Sequence, residues 1–365
     1  MKRSHQPKIA IIHDIFTGYG GGELVAKELA TLFPQADIFT TWFTKDNPFY
    51  HTLYSRIKKS FSPRNFLYYI KGKNFIKPCI YSYWEAIDLS PYNIVISSSH
   101  SYSSKAVLTS PQQLHICYCH TPPKYLYTEY SESGARLSNN VLFHIIFTYL
   151  RLIDFVSAQR PDHIIANSLI VQKRIQKYYR RNAIVIYPPV SVPPSFVHYK
   201  KNPYFIYVGR LTKAKGLPLI IQTCNKLKKK LIIVGDGDEK HALQKIAGPT
   251  IEFKGNVSEQ EKNILLQHAS AFLFAGIDED FGIAPVEAMG WGTPVIGYGN
   301  GGLSETVIHN KTGILFFSYT EKSLEHAIRI FETTRFSQKN CFIQAKKFSK
   351  ERFKKNILSL ISKKL

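Results

Sequence analysis

A chain of 365 residues with 44% hydrophobic and 20% charged residues is longer than one ordinary core serves, so two domains of about 150–200 residues are expected. The apolar fraction excludes a mainly disordered protein, and 21 glycines with 19 prolines exclude a low-complexity chain. The 48 basic against 26 acidic residues give a formal charge of +22, a surface suited to polyanions: nucleic acid, anionic lipid or phosphorylated small molecules. Split at Ser195, each half carries +11, although Lys45 to Lys77 concentrates eight Lys and Arg around the single acid Asp46.

The most apolar run, Val141 to Val156, is interrupted by His144, Arg151 and Asp154, which argues against a membrane span. The N-terminal residues lack a signal-peptide cleavage pattern, so a cytoplasmic location is expected. Five cysteines, an odd number, include Cys117 and Cys119 one residue apart and no CxxC pair. Neither a disulfide framework nor a zinc site follows.

In chain order, Lys8 to His13 reads as a buried parallel strand, followed by the glycines Gly18 to Gly22 and a helix over Glu23 to Leu32. Further strand-like runs are Ile94–Ile96, Leu114–Tyr118, His163–Ala166 and Ile184–Ile186. Pro188, Pro189, Pro193 and Pro194 then block both helix and central strand and mark a hinge. A second opening follows: Tyr204 to Gly209, a basic loop and a helix over Leu217 to Leu227. Strands are expected at Leu231–Val234, Ile251–Phe253, Ala271–Phe274, Pro294–Ile296 and Gly313–Phe316. Ser337 to Leu365 is basic and helical in period, with Phe342, Ala345, Phe348, Phe353 and Ile357 as its apolar face. Strands alternating with helix-length segments predict two doubly wound α/β domains.

The stretch from Phe274 to Met289 carries the most chemistry. A strand ends near Phe274, an acidic loop follows, and a helix begins near Ile283 to Pro285, where a proline costs no hydrogen bond. The backbone N–H groups of Phe281, Gly282 and Ile283 are then placed to hold phosphate or sugar oxygens. Glu287 can accept two hydrogen bonds from a ribose diol, and Glu279 can do so for a hexose. A second glycine loop, Gly299 to Gly302, adds an expected nest of backbone donors. Arg210 and Lys215, on a strand-to-helix loop, supply a bidentate guanidinium and a mobile ammonium. His120 precedes Thr121-Pro122-Pro123 in an extended turn. Asp14, after the first strand, is a lesser candidate base. From Trp42 to Trp84, aromatic residues interleave with the eight cations, a pattern shared by nucleic-acid platforms and membrane-docking segments.

Glu279 and Glu287, separated by seven residues around Phe281-Gly282-Ile283-Ala284-Pro285, resemble the signature of family 4 retaining glycosyltransferases of the GT-B fold. Gly20-Gly21-Gly22-Glu23, Val208 to Gly216, Val234-Gly235-Asp236-Gly237 and Phe253 to Val257 resemble the family's loops in order, and Cys117 to Tyr125 resembles a segment of its O-antigen mannosyltransferases. The resemblance spans nearly the whole chain. It implies two Rossmann-like domains facing each other across a cleft: 1–195 for the acceptor, 196–345 for the sugar nucleotide, and 346–365 as a helix returning to the first domain. It implies that a hexose, preferably mannose from GDP-mannose and otherwise from a UDP-hexose, is transferred with retention. No metal or other cofactor is expected. Catalytic roles fall to His120, Arg210, Lys215 and Glu279, and donor binding to Gly22, Arg210, Lys215, Glu279, Phe281, Gly282, Ile283 and Glu287. The implied partners are a glycan or polyprenyl-diphosphate-linked acceptor and an anionic membrane surface on the cytoplasmic side, with no nucleic acid.

Overall fold

The structure, a computed structural model, describes residues 7–18, 20–44, 48–60, 77–101, 103–127 and 141–364. The chain divides into two compact units: Met1–Tyr187 with Lys354–Leu365, and Pro188–Phe353. This division falls ahead of the proline run, whereas the sequence suggested a boundary at 195. The reason is local packing. Val190 donates its N–H to Phe348 O at 3.0 Å, and Gly290 approaches Val192 and Pro193 so closely that a Cβ would lie 3.3–3.4 Å from them. The prolines therefore line the second unit.

The first unit holds seven parallel strands: β1 (Ile9–Phe16), β2 (Asp37–Phe43), β3 (Ile57–Ser60), β4 (Ile94–Ser99), β5 (Leu114–Cys119), β6 (His163–Ala166) and β7 (Ile184–Val185). Their order is β3-β2-β1-β4-β5-β6-β7. Among the described residues they are accompanied by α1 (Gly21–Leu32), α2 (Lys77–Glu85), α3 (Val141–Ser157) and α4 (Leu169–Tyr179). Ala10, Ile11 and Ile12 are all buried, as expected of a strand covered on both faces. Ser168 caps α4, its hydroxyl accepting from Val171 N at 3.3 Å. On one side of the sheet Trp84, Tyr81, Phe147 and Leu150 share one apolar cluster.

The second unit repeats the plan with β8 (Asn202–Val208), β9 (Leu231–Val234), β10 (Ile251–Gly255), β11 (Ala269–Phe274), β12 (Val295–Tyr298) and β13 (Gly313–Phe316). The order is β10-β9-β8-β11-β12-β13, again all parallel. Its helices are α5 (Leu217–Lys226), α6 (Lys240–Ile246), α7 (Glu259–His268), α8 (Ile283–Gly290), α9 (Leu303–Thr306), α10 (Glu321–Thr333) and α11 (Gln338–Lys346). The basic tail is two helices, α11 and α12 (Lys350–Ser362), with the buried Phe348 between them. From Lys354 onward α12 belongs to the first unit, where Lys354 Nζ meets the Glu28 carboxylate at 2.9 Å.

In each sheet the first strand lies inside, and the order reverses between β1 and β4 and between β8 and β11. Ligands of open parallel sheets gather at the carboxyl ends of strands flanking such a reversal. Part of the aromatic and basic stretch, with Lys45, Arg64, Lys71 and Lys73, lies outside the described residues. Among its described members Trp84 and Tyr81 are core, Lys58 pairs with Asp37 at 3.4 Å, and Arg56 donates to the carbonyls of Ala30, Phe33 and Ala36, fastening the end of α1, while Trp42 is exposed.

Candidate functional site

In the second unit, two loops leave the carboxyl ends of the reversal strands and bind each other. After β8 the chain forms a short turn, Lys213–Lys215, ended by Gly216 in the left-handed region at φ +68°. A Cβ on Gly216 would stand 2.0 Å from Ala275 O, so only glycine lets this turn press against the end of β11. Ile277 N donates to Ala214 O at 3.0 Å. The result is an ion pair between Lys215 Nζ and Glu279 Oε2 at 2.6 Å, both side chains about one-fifth exposed. The Lys215 ammonium also lies 5.8 Å from the centre of the Phe274 ring. Arg210 is exposed, and its guanidinium has no hydrogen-bond or carboxylate partner among the described residues. Its carbonyl accepts from Tyr207 OH at 3.0 Å, which fixes the loop's departure from β8.

Gly282, at φ +88°, precedes α8, whose first residue is Ile283. The Phe281 side chain is buried against Phe348, ring centres 5.4 Å apart, so its expected ligand contact is confined to the backbone. The second glycine loop departs from expectation. Gly302 N donates to Glu279 O at 2.7 Å, and a Cβ on Gly301 would lie 2.3 Å from that oxygen. These glycines brace the backbone of Glu279, and the Gly302 donor is already engaged.

Glu287, one turn into α8, has Lys262 Nζ at 3.4 Å, and Lys262 also reaches Glu259 at 2.8 Å. Burial raises the pKa of the Glu287 carboxyl, more than Lys262 lowers it. The residues expected at the donor therefore sit on neighbouring loops of one unit, with Lys215 and Glu279 in direct contact. Lys262 was missed; its i,i+3 spacing from Glu259 was the available signal.

The first unit gathers a second group where β1, β4 and β5 end. In register, His13 on β1 stands opposite Ser98 on β4, and His120 follows β5. Ser98 Oγ lies 3.0 Å from His13 Nδ1 and 2.8 Å from His120 Nε2. Both rings are almost fully buried. Burial depresses both pKa values, His120 further through the neighbouring His13 and His100. Gly22 faces this pair: a Cβ there would lie 3.6 Å from His120 Nε2 and 3.7 Å from His13 Cε1. An alanine would thus make ordinary contacts and narrow the space beside His120.

Asp14, the lesser candidate base, has backbone partners. Its buried carboxylate accepts from His100 N and Ser104 N, each at 2.8 Å, and so organises the loop after β4. His13 and Ser98 were not singled out; an apolar run ending in His13 beside another ending in three serines was their only trace. Among the described residues, no three His, Cys, Asp or Glu side chains are grouped to hold a metal ion.

Residues 192–348 match the family described as glycosyl transferases group 1. The matched segment lies within the second unit. The alpha-1,3/1,6-mannosyltransferase ALG2 of Kluyveromyces lactis is 25% identical over 84% of this chain and 73% of its own length. The O-antigen chain mannosyltransferase RfbU of Salmonella typhimurium is 30% identical over 40% of this chain and 45% of its own. For RfbU and several other curated relatives, this chain matches less than half of the relative's length. The crystal structure of Anabaena HepE in complex with UDP and glucose shares the fold, with a TM-score of 0.71 at 18% identity, covering 98% of this chain and 100% of that one. The second unit thus presents, at the carboxyl ends of β8 and β11, the exposed Arg210 guanidinium, unpaired among the described residues, and the Lys215–Glu279 ion pair. That combination can take up an anion by exchange of partners.

Proposed function

We propose that the protein transfers mannose from GDP-mannose, with retention and without a metal, to a glycan or polyprenyl-diphosphate-linked acceptor. The observation that carries this reading is the placement of Arg210, Lys215 and Glu279 at the reversal of the second unit's sheet. The ALG2 and RfbU similarities support the choice of mannose. As the bond between the sugar's anomeric carbon and the diphosphate oxygen breaks, charge grows on the diphosphate. Arg210 and Lys215 lower the barrier by holding that charge. Glu279 steadies hexose hydroxyls, Glu287 the ribose diol, and the backbone at Phe281, Gly282 and Ile283 further oxygens. The acceptor oxygen bonds to the anomeric carbon on the face the diphosphate leaves, and its proton passes to the departing phosphate oxygen. In the first unit, the reading gives His120 and the space beside Gly22 a contact with the hexose.

The test incubates the purified chain with GDP-mannose, UDP-glucose or UDP-galactose and a lipid-linked acceptor, and reads the anomer formed. Transfer from the UDP sugars alone selects the alternative donor. Arg210→Ala and Lys215→Ala should each slow transfer by roughly 10²-fold with the fold intact; rates within a factor of a few of the unmodified chain would refute their role.

The same reading places the protein on the cytoplasmic surface of an anionic membrane. Among the described residues no helix is long and apolar enough to cross a bilayer, but α3 exposes Val141, Leu142, Ile145, Tyr149, Leu152 and Val156. Their spacing forms one apolar stripe. Leu142→Ser/Ile145→Ser/Leu152→Ser should reduce sedimentation with phosphatidylglycerol vesicles, and unchanged binding would remove α3 from the docking face.

A further inference from the structure

Three polar side chains from three strands meet in the interior of the first unit, and their hydrogen bonds admit one arrangement of protons. His13 Nδ1 lies 3.1 Å from Ser98 O and 3.0 Å from Ser98 Oγ. A carbonyl oxygen only accepts, so Nδ1 carries the His13 proton. Among the described residues His13 Nε2 is buried without a hydrogen-bond partner; left bare it is an unpaired acceptor, whereas a proton there would be an orphaned donor. With His13 donating, the Ser98 hydroxyl proton has, among the described residues, His120 Nε2 at 2.8 Å as its acceptor. The reverse assignment, His120 donating to Ser98, would leave the hydroxyl proton facing a ring nitrogen that already bears hydrogen. His120 is held neutral by its burial among His13 and His100, so its single ring proton sits on Nδ1.

We propose that His13 and Ser98 are positioning residues that lock His120 in the Nδ1–H tautomer, making His120 a hydrogen-bond donor toward an oxygen of the bound sugar and not a proton acceptor. The strand register builds the device, because His13 and Ser98 are paired positions of β1 and β4 and His120 directly follows β5, its N–H donating to Ser99 O at 2.9 Å. Gly22 leaves the open space beside both rings. Only the identity of the recipient oxygen rests on the proposed function; the proton placement does not.

The full-length chain, labelled with ¹⁵N histidine, reports ring protonation directly by long-range ¹H–¹⁵N correlation, with His120→Gln assigning the His120 signals. His120 should show a bare Nε2 and a protonated Nδ1. Ser98→Ala should move the tautomer ratio by about tenfold toward Nε2–H, and Ser98→Thr, which keeps the hydroxyl, should restore it. His13→Phe should shift the ratio the same way, and His13→Asn, whose amide can donate where Nδ1 does, should shift it less. A protonated Nε2 on His120 in the unmodified chain would overturn the proposal, and so would an unchanged ratio in Ser98→Ala. Inactivity with every sugar nucleotide but the expected ring signals would refute the transferase reading and leave the tautomer lock standing.

Discussion

Glu279→Gln is the substitution whose two effects should run in opposite directions. In the free protein Glu279 holds Lys215 at 2.6 Å. At an effective dielectric of about 20, two unit charges at that distance attract by about 6 kcal/mol, which is a ceiling. The side chains are about one-fifth exposed, and desolvation and side-chain ordering reduce measured pairs of this kind to about 1 kcal/mol. A diphosphate recruiting Lys215 must first displace Glu279, so the neutral Gln should tighten GDP binding by about fivefold. Transfer of the hexose should fall by 10²-fold or so, because the carboxylate no longer steadies sugar hydroxyls in the transition state. Calorimetry with GDP, which carries no sugar, isolates the first effect, and kcat isolates the second. If GDP binding weakened in proportion to turnover, Glu279 would be holding the nucleotide, and the exchange of partners at Lys215 would be wrong.

Two further predictions concern the first unit. Asp154, fully buried, accepts from Lys105 at 2.5 Å and from Tyr179 and Tyr127 at 2.8 and 3.1 Å. Asp154→Asn strands the ammonium and should cost about 3–5 kcal/mol in urea unfolding, with Lys105→Met/Asp154→Leu losing less because no charge is left alone; equal losses would show that volume, not charge, matters there. Burial lowers the pKa of His115 from 6.5 to about 4. The unfolded chain therefore binds more protons between those values, and stability should fall by about 3 kcal/mol as the pH drops through that window. His115→Gln should flatten this part of the denaturation profile, and an unchanged slope would assign it to other groups, His13 and His120 among them.

What the sequence disclosed depended on how purely apolar each strand is. Ile94–Ile96, His163–Ala166, Leu231–Val234 and Gly313–Phe316 read as strands because both faces are covered and nearly every position is hydrophobic. β2 escaped notice because Asp37, Thr40 and Thr41 interrupt it, yet Thr40 and Thr41 are buried and their hydroxyls donate to Asp14 O. β3 carries Lys58 and Lys59 on a short edge, which composition alone assigns to a charged loop. The second-unit grouping was legible because its residues are close in sequence: Arg210 with Lys215 on one loop, Glu279 with Glu287 around another. The His13–Ser98–His120 group spans more than a hundred residues and exists only through strand register, which no local pattern encodes. Gly301 and Gly302 misled for the opposite reason, since a glycine run signals close approach without telling whether a ligand or another loop approaches.

The pairing of charges in the second unit also ranks the cations in time. Lys215 is neutralised by Glu279, and Lys262 lies between Glu259 and Glu287, whereas the exposed Arg210 has no carboxylate partner among the described residues. Under the proposed function, an approaching diphosphate would meet Arg210 without displacing a carboxylate and would then draw Lys215 away from Glu279. Removing an exposed, unpaired charge mainly slows encounter, while removing one that must change partners mainly hastens release. In stopped-flow binding of a fluorescent GDP analogue, Arg210→Ala should lower the association rate several-fold and weaken its dependence on salt. Lys215→Ala should leave association nearly unchanged and raise the dissociation rate. The reverse assignment of rates would mean that Lys215 is already free to greet the ligand in solution, and that the Lys215–Glu279 pair has no hold on the order of events.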